Sequence, residues 1–454
     1  MMTLTDLRTW YDGRRAKIRS DYFQFLRFPS ISTDPAYKSD MRACASWLSE
    51  YFVKGGIQSR LIETDMYPIV YAEDLSAGPK AKTLLIYGHY DVQPVDPIEL
   101  WKSPPFEPEE RGGQIFARGA VDDKGQIFYA ALAALCWKDL GRSLPVNLKF
   151  CIEGEEESQS IGLTKALPKL KNLMRADYLL IPDFDQFNPT TPAISLGARG
   201  IAALEVTLKG SNSDLHSGLL GGIAYNPNRA LVELLAKLWD KDGRVQVKGF
   251  YDQVEAPSKE ELKRYTFPND KAYYTKALGI GAFGGEKGRS LQEANWFRPT
   301  LEINGISGGY AGAGMKTVIP SSATAKITCR LVPNQDPEKI LQSLASFLKE
   351  QALPGMQVRV ETFSSDPAFR SSPDSLIAKA VAKAAMECTG SACKNILAGG
   401  SIPVIANLVE ETGAEAVGMG YGLIDDNIHA PDEHFDMERL EKGFLTVGRA
   451  LAFL

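Results

Sequence analysis

The sequence predicts an α/β fold, a mostly parallel sheet with helices on both faces, interrupted by an α+β insert. Three observations carry this. Short, continuously apolar runs alternate with helical patterns in the first part, as buried parallel strands and their crossover helices do. A middle stretch alternates apolar and polar residues, the mark of half-exposed antiparallel strands. After about residue 366 the helical pattern returns. At 454 residues the chain also exceeds what one core usually serves.

In chain order, the first twenty residues, MMTLTDLRTWYDGRRAKIRS, read as an amphipathic helix of mixed charge with no secretory apolar region. TLLIY (83–87), VNLKFCI (146–152) and YLLI (178–181) are the predicted strands of the first part. Between the first two lies GQIFYAALAALCWKDLG, apolar at helical spacing, which makes a βαβ unit. Segments 200–210, 299–309, 322–332 and 356–365 are the predicted antiparallel strands, with helices over 226–240 and 336–353 on one face. PDSLIAKAVAKAAMECTG and ANLVEETG then read as helices, and EAVGMGYG (415–422) as a last strand. The expected organisation is a discontinuous catalytic domain, 1–198 and 367–454, around an insert, 199–366.

Composition narrows the function. Hydrophobic residues make up 44% and charged residues 24%, with a net charge of −5. That balance gives no basic footprint for nucleic acid or an anionic membrane, and no apolar run reaches the length of a membrane span. Cys44, Cys136, Cys151, Cys329, Cys388 and Cys393 form no CxxC pair and mostly lie in apolar stretches. They read as free thiols in a reducing, cytoplasmic setting.

The chain has four histidines: His89, His216, His429 and His434. Two fall where each predicted strand of the first part runs into acids or imidazoles. TLLIY leads to His89 and Asp91, FCIEG to Glu155, Glu156 and Glu157, YLLIP to Asp183, and the 415–422 strand to Asp425, Asp426 and His429. Asp122 and Asp123 precede a helix. Ligands of open α/β sheets bind beyond the carboxyl ends of the strands. So many carboxylates packed together resist ionisation unless a cation joins them. Histidine and carboxylate donors without cysteine favour zinc, with manganese or cobalt as alternatives, and the donors suffice for two ions sharing a carboxylate. Residues two apart in an extended segment point the same way, so His89 suits a metal and Asp91 its other ring nitrogen.

The motifs GHYDVQPV, WKSPPFEPEERGGQIFARGAVDDKGQ, EGEEESQSIGL, SNSDLHSGLLGG, GMKTVIPSSATAKITCRLVPNQ and GGSIPV follow one another in this order between residues 88 and 404. They resemble the co-catalytic zinc peptidases and deacylases that include carnosinase, aminoacylase, glutamate carboxypeptidase and succinyl-diaminopimelate desuccinylase. DLHSG, KTVIP, RLVPN and GGSIP are most similar to the carnosinase-like cytosolic dipeptidases.

The resemblance implies two divalent ions per subunit. It implies His89 and Asp183 as ligands of one, Glu157 and His429 as ligands of the other, and Asp122 as the bridge, joined to Asp123 by a cis peptide. It implies Asp91 as the orienting acid and Glu156 as general base. Glu155 adds a third carboxylate to that cluster, and His434 a second histidine to the last motif. His216 would stabilise the oxyanion from the lid of a partner subunit in a homodimer. Arg330 is the expected partner of a substrate carboxylate, and Thr317, Gly400 and Ser401 match substrate-holding positions. The expected activity is metal-dependent hydrolysis of dipeptides or short peptides with a free carboxylate. The alternative is an N-acyl amino acid amidohydrolase with the same metal chemistry. An inactive binding protein on this fold would lack a ligand or the base, and neither is missing.

Overall fold

The computed structural model describes residues 2–400 and 403–454. The chain forms two compact units: Met1–Gly197, Arg370–Leu397 and Asn407–Leu454 make one, Ala198–Phe369 and Ala398–Ala406 the other.

The first unit is built on a mixed sheet. Its strands run in the order Gln58–Ile62, Ile69–Asp74, Asn147–Glu153, Thr83–His89, Tyr178–Ile181, Glu415–Met419, Ala193–Ala198 and Phe369–Arg370, and Lys394–Ala398 also pairs with Ala193–Ala198. The centre is parallel, with Thr83–His89 between Asn147–Glu153 and Tyr178–Ile181. Glu415–Met419 continues it in parallel beside Tyr178–Ile181. Every residue of Thr83–His89 after Thr83 is buried, because both faces of the sheet are covered. The crossover helix Lys124–Asp139 is buried from Lys124 through Trp137, as a helix apolar all round must be. The C-terminal helix Met437–Leu451 packs against it closely: a Cβ at Gly443 would lie 2.4 Å from the Tyr129 ring. Trp137 Nε1 donates to the Gly448 carbonyl at 3.0 Å.

The structure departs from the sequence expectation in several places, among them the unpredicted strands Ala193–Ala198, Phe369–Arg370 and Lys394–Ala398. The N-terminal stretch is two helices, Leu4–Asp12 and Arg15–Leu26, not one. The first is closed by a Thr3–Asp6 capping box and ends at Gly13, whose amide turns back to the Thr9 and Tyr11 carbonyls. Gln58–Ile62 and Ile69–Asp74 add an antiparallel edge to the sheet that local pattern did not reveal. All six cysteines are unbonded, and four of them are buried. Among the described residues no helix is long and apolar enough to cross a membrane.

The second unit is an antiparallel sheet in the order Thr300–Gly308, Ser322–Leu331, Gly200–Lys209, Gln357–Asp366. Gly200–Lys209 and Ser322–Leu331 alternate buried and half-buried residues. Leu204, Val206 and Ile327 on the buried face form one core with Leu231, Leu341 and Leu344 from helices Pro227–Ala236 and Pro337–Gln351. Both helices start with Pro after an acceptor cap: Asn226 takes the Asn228 amide, and Asp336 the Glu338 and Lys339 amides. The stretch from 255 to 297, for which sequence pattern set no expectation, holds the short helices Lys259–Lys263 and Lys271–Leu278.

Candidate metal centre

His89 ends the central strand Thr83–His89 and is fully buried. Its Nδ1 lies 3.1 Å from the Asp91 carbonyl and 3.4 Å from that residue's carboxylate. A carbonyl only accepts, so Nδ1 carries the hydrogen. Nε2 then faces Asp122 Oδ1 at 3.2 Å and Asp183 Oδ2 at 3.7 Å without a hydrogen-bond partner. In the neutral ring that lone pair aims at carboxylate oxygens, a contact that a bound cation relieves and, without one, a second ring proton. The His89 amide donates to Asp123 Oδ2 at 3.1 Å. Gly88 makes that approach feasible, since a Cβ there would sit 2.6 Å from the same oxygen. The Asp122–Asp123 peptide is cis.

Asp122 divides its carboxylate. Oδ1 faces His89, while Oδ2 lies 2.9 Å from His429 Nε2. His429 Nε2 is also 3.3 Å from Glu157 Oε1. Two donor groups result, His89–Asp122–Asp183 and Asp122–Glu157–His429, each with its ligand atoms within 4.8 Å of one another. Gln93 Nε2 holds the other Glu157 oxygen at 2.7 Å. The Asp91 carboxylate accepts the Glu156 and Glu157 amides at 3.2 and 3.1 Å, which fixes the acidic turn beneath the site.

The electrostatics follow from this crowding. Burial opposes charge on His89, but the Asp122, Asp91 and Asp183 carboxylates around the ring outweigh it and raise its pKa. Burial also opposes the charge on Asp122, yet hydrogen bonds to both histidines hold it below the usual carboxylate range. Burial and the neighbouring Asp123 push Asp183 up. Burial raises Glu156 to about 7; His89 opposes this, while Glu157, Asp122 and Asp91 reinforce it. Burial likewise raises Glu155 to about 7, but its carboxylate is engaged by the Gly162 amide at 3.0 Å. His434 Nδ1 bonds the Asp432 carbonyl at 2.9 Å and its ring lies against Phe116, and it belongs to neither donor group.

Hydrogen bonds to Asp122 and Glu157 raise His429 to about 10. The metal-free ring therefore carries a proton at neutral pH, and a metal ligand must lose it. Metal binding at pH 7 is expected to release protons, and affinity to rise as pH rises towards 10. Titration calorimetry of Zn²⁺ or Mn²⁺ in two buffers of different ionisation enthalpy checks this. Heats independent of the buffer would contradict it.

In the second unit, His216 sits on the short strand Leu215–His216, paired with Val318–Ile319. Its Nδ1 accepts the Gly218 amide at 3.0 Å, so the neutral ring carries its hydrogen on Nε2, 3.5 Å from Thr317 Oγ1. The ring is exposed. Arg330 lies opposite Ile201 in the sheet. Arg199, near enough to Arg330 to feel its charge, donates its Nε to the Gly399 carbonyl at 2.7 Å. Its amide donates to the Gly400 carbonyl at 3.0 Å. Its Nη1 is buried without a hydrogen-bond partner, and burial and the Arg330 charge lower its pKa to about 10. Ser401 lies outside the described residues. Sequence reasoning passed over Arg199, and gave Asp123 no part beyond the acid pair and its cis peptide. Their only local signals were a basic residue opening a strand and the second acid of an acid pair.

Residues 85–452 match the sequence profile of peptidase family M20/M25/M40. The chain is 30% identical to the Cys-Gly metallodipeptidase of Schizosaccharomyces pombe, over 97% of this chain and 96% of that protein. It is 32% identical to the human Beta-Ala-His dipeptidase, over 81% of this chain and 73% of that protein. Among solved structures, an M20 family metallo-carboxypeptidase from Sulfolobus solfataricus superposes with a TM-score of 0.83 at 33% identity, covering 96% of this chain and 98% of that one. Human carnosine dipeptidase 1 gives 0.79 at 26% identity over the full length of both chains.

Proposed function

The chain belongs to peptidase family M20/M25/M40 and is a metallopeptidase, and from that premise we propose that it hydrolyses dipeptides or short peptides with a free C-terminal carboxylate. The observation that carries the reading is Asp122, whose two oxygens face two different histidines, so that two donor groups share one carboxylate.

In this reading His89 and Asp183 hold one divalent ion, Glu157 and His429 a second, and Asp122 both. Zinc suits the donors best, with manganese or cobalt as alternatives. Bound ions would polarise the scissile carbonyl and make water acidic enough to be used at neutral pH. Glu156 takes the proton of the attacking water and returns it to the departing amine. Burial raises its pKa to about 7 in the metal-free site, and bound cations would bring it down so that the carboxylate is ionised and ready to accept a proton at neutral pH. Glu155 is the weaker candidate, because the Gly162 amide occupies it.

His216 Nε2–H is the donor for the tetrahedral oxyanion, acting from a partner subunit. Support for a homodimer through the second unit comes from exposed Leu219, Ile223, Val232 and Ile306, and from Thr300–Gly308 as an unpaired sheet edge. Arg330, with Arg199 beside it, receives the substrate carboxylate, with Thr317, Gly400 and Ser401 around the substrate. The second unit thus acts as lid and dimerisation domain, and the first as the catalytic domain, in the cytoplasm.

The test is a screen of metal-stripped and then Zn²⁺- or Mn²⁺-loaded protein on unmodified dipeptides and on N-acyl amino acids. Metal-dependent cleavage of dipeptides is expected. Cleavage of acylated amino acids alone would move the function to deacylation, and cleavage of neither would overturn the substrate class.

A further inference from the structure

Glu433 is 1% exposed and lies four residues beyond His429, yet it belongs to neither donor group. Its carboxylate is filled by donors from one segment. Oε1 accepts the Val121 and Asp122 amides at 3.0 and 3.2 Å. Oε2 accepts the Gly119 amide at 2.9 Å and Arg118 Nη1 at 2.9 Å. The Glu433 carbonyl accepts the Ala117 amide at 3.1 Å. Arg118, equally buried, also gives Nη1 to the Ala430 carbonyl at 3.3 Å and Nη2 to the Pro94 carbonyl at 2.9 Å. The two side chains therefore tie together three separate stretches: the one after His89 and Asp91, the one ending in Asp122, and the one containing His429.

None of these stretches is held by a regular ladder. His429, Asn427 and Asp432 have φ near +60°, so their segment is neither helix nor strand. A buried ion pair is weak evidence for stability, because desolvation offsets much of its attraction. Saturating a carboxylate with three backbone amides and a guanidinium instead fixes a geometry. Asp122 is the residue where geometry matters most, since its two oxygens must face opposite ways.

We propose that Glu433 and Arg118 are positioning residues for the metal centre: Glu433 sets the backbone from which Asp122 projects, and Arg118 sets the spacing between the His89 and His429 segments. The inference rests on the two-ion reading above and not on the identity of the substrate.

The experiment uses Glu433→Gln and Arg118→Lys in the full chain. Glutamine keeps the size but turns an NH₂ towards N–H donors. Lysine keeps the charge but cannot span three acceptors. Circular dichroism and thermal melting report the fold, and calorimetric titration of stripped protein with Zn²⁺ or Mn²⁺ reports ion number and affinity without turnover. Folded Glu433→Gln is expected to bind metal about 10- to 100-fold more weakly, with kcat falling more than KM changes, and Arg118→Lys to show a smaller loss in the same direction. Either variant folded with wild-type affinity at both ions would overturn the proposal, even if its melting temperature falls. If Glu433→Gln does not fold, Arg118→Lys decides by the same criterion. Wild-type protein that binds two ions but cleaves no peptide would overturn the substrate reading alone, a result separate from these.

Discussion

Glu156→Gln is expected to lower kcat on a cleaved dipeptide about 10³-fold, within the 10²–10⁴ range for removing a positioned general base. Gln has the same volume and cannot take a proton. Glu156 belongs to neither donor group, so metal number and affinity should stay at wild-type levels. KM should change little, since the carboxylate is assigned to proton transfer and not to holding substrate. The pH profile sharpens the test. Glu156 stands near 7 in the metal-free site through burial, and only its ionised form accepts a proton. Bound cations would lower that value, so the acid limb of kcat/KM should fall below 7 and disappear in the variant's residual rate. A kcat within tenfold of wild type would remove Glu156 from this role. Glu155→Gln is the matched control, because that carboxylate caps the Gly162 amide.

Asp122→Asn is expected to be as severe for a different reason. One oxygen remains, so one donor group can still be completed, but the other must face an amide NH₂. Metal number should fall from two to one or none, with the affinity loss exceeding the roughly 100-fold upper end for removing a mere orienting partner of a ligand. Activity should fall with it. The histidines supply an independent readout. Hydrogen bonding to Asp122 is the leading cause of the raised His429 pKa, so an NMR titration of the stripped variant should place it below 10. Two ions bound at wild-type affinity would show that the carboxylate is not shared.

Some of this was legible in the chain, and the reasons are specific. Thr83–His89, Asn147–Glu153 and Tyr178–Ile181 are buried on both faces, so their apolar runs stand out with no partner known. The acids and histidines following them are conspicuous because nothing apolar explains them. The antiparallel strands Gln58–Ile62 and Ile69–Asp74 were not legible. The first is an edge strand with no buried residue, and the second is a brief run set between it and Asn147–Glu153. At the site, sequence offers residue types but not atoms. It could not show that Asp122 splits its oxygens between His89 and His429, or that the Asp91 carboxylate holds the Glu156 and Glu157 amides. Glu433 lay hidden inside an acidic pair between His429 and His434, with partners more than 300 residues away in the chain.

The longer segment of the second unit, Ala198–Phe369, begins and ends in adjacent antiparallel strands, with Ile201 opposite Asp366. Once those strands pair, the ends of the insert are zipped side by side. A flexible loop spanning Ala198–Phe369 would carry a closure penalty about 3 kcal/mol larger than a loop of a few residues. The zipped insert behaves as the short loop, whatever its length. Replacing Ala198–Phe369 by a tight turn should therefore change the closure entropy of the remaining unit very little, and the segment should tolerate length changes at its far end as a surface hairpin does.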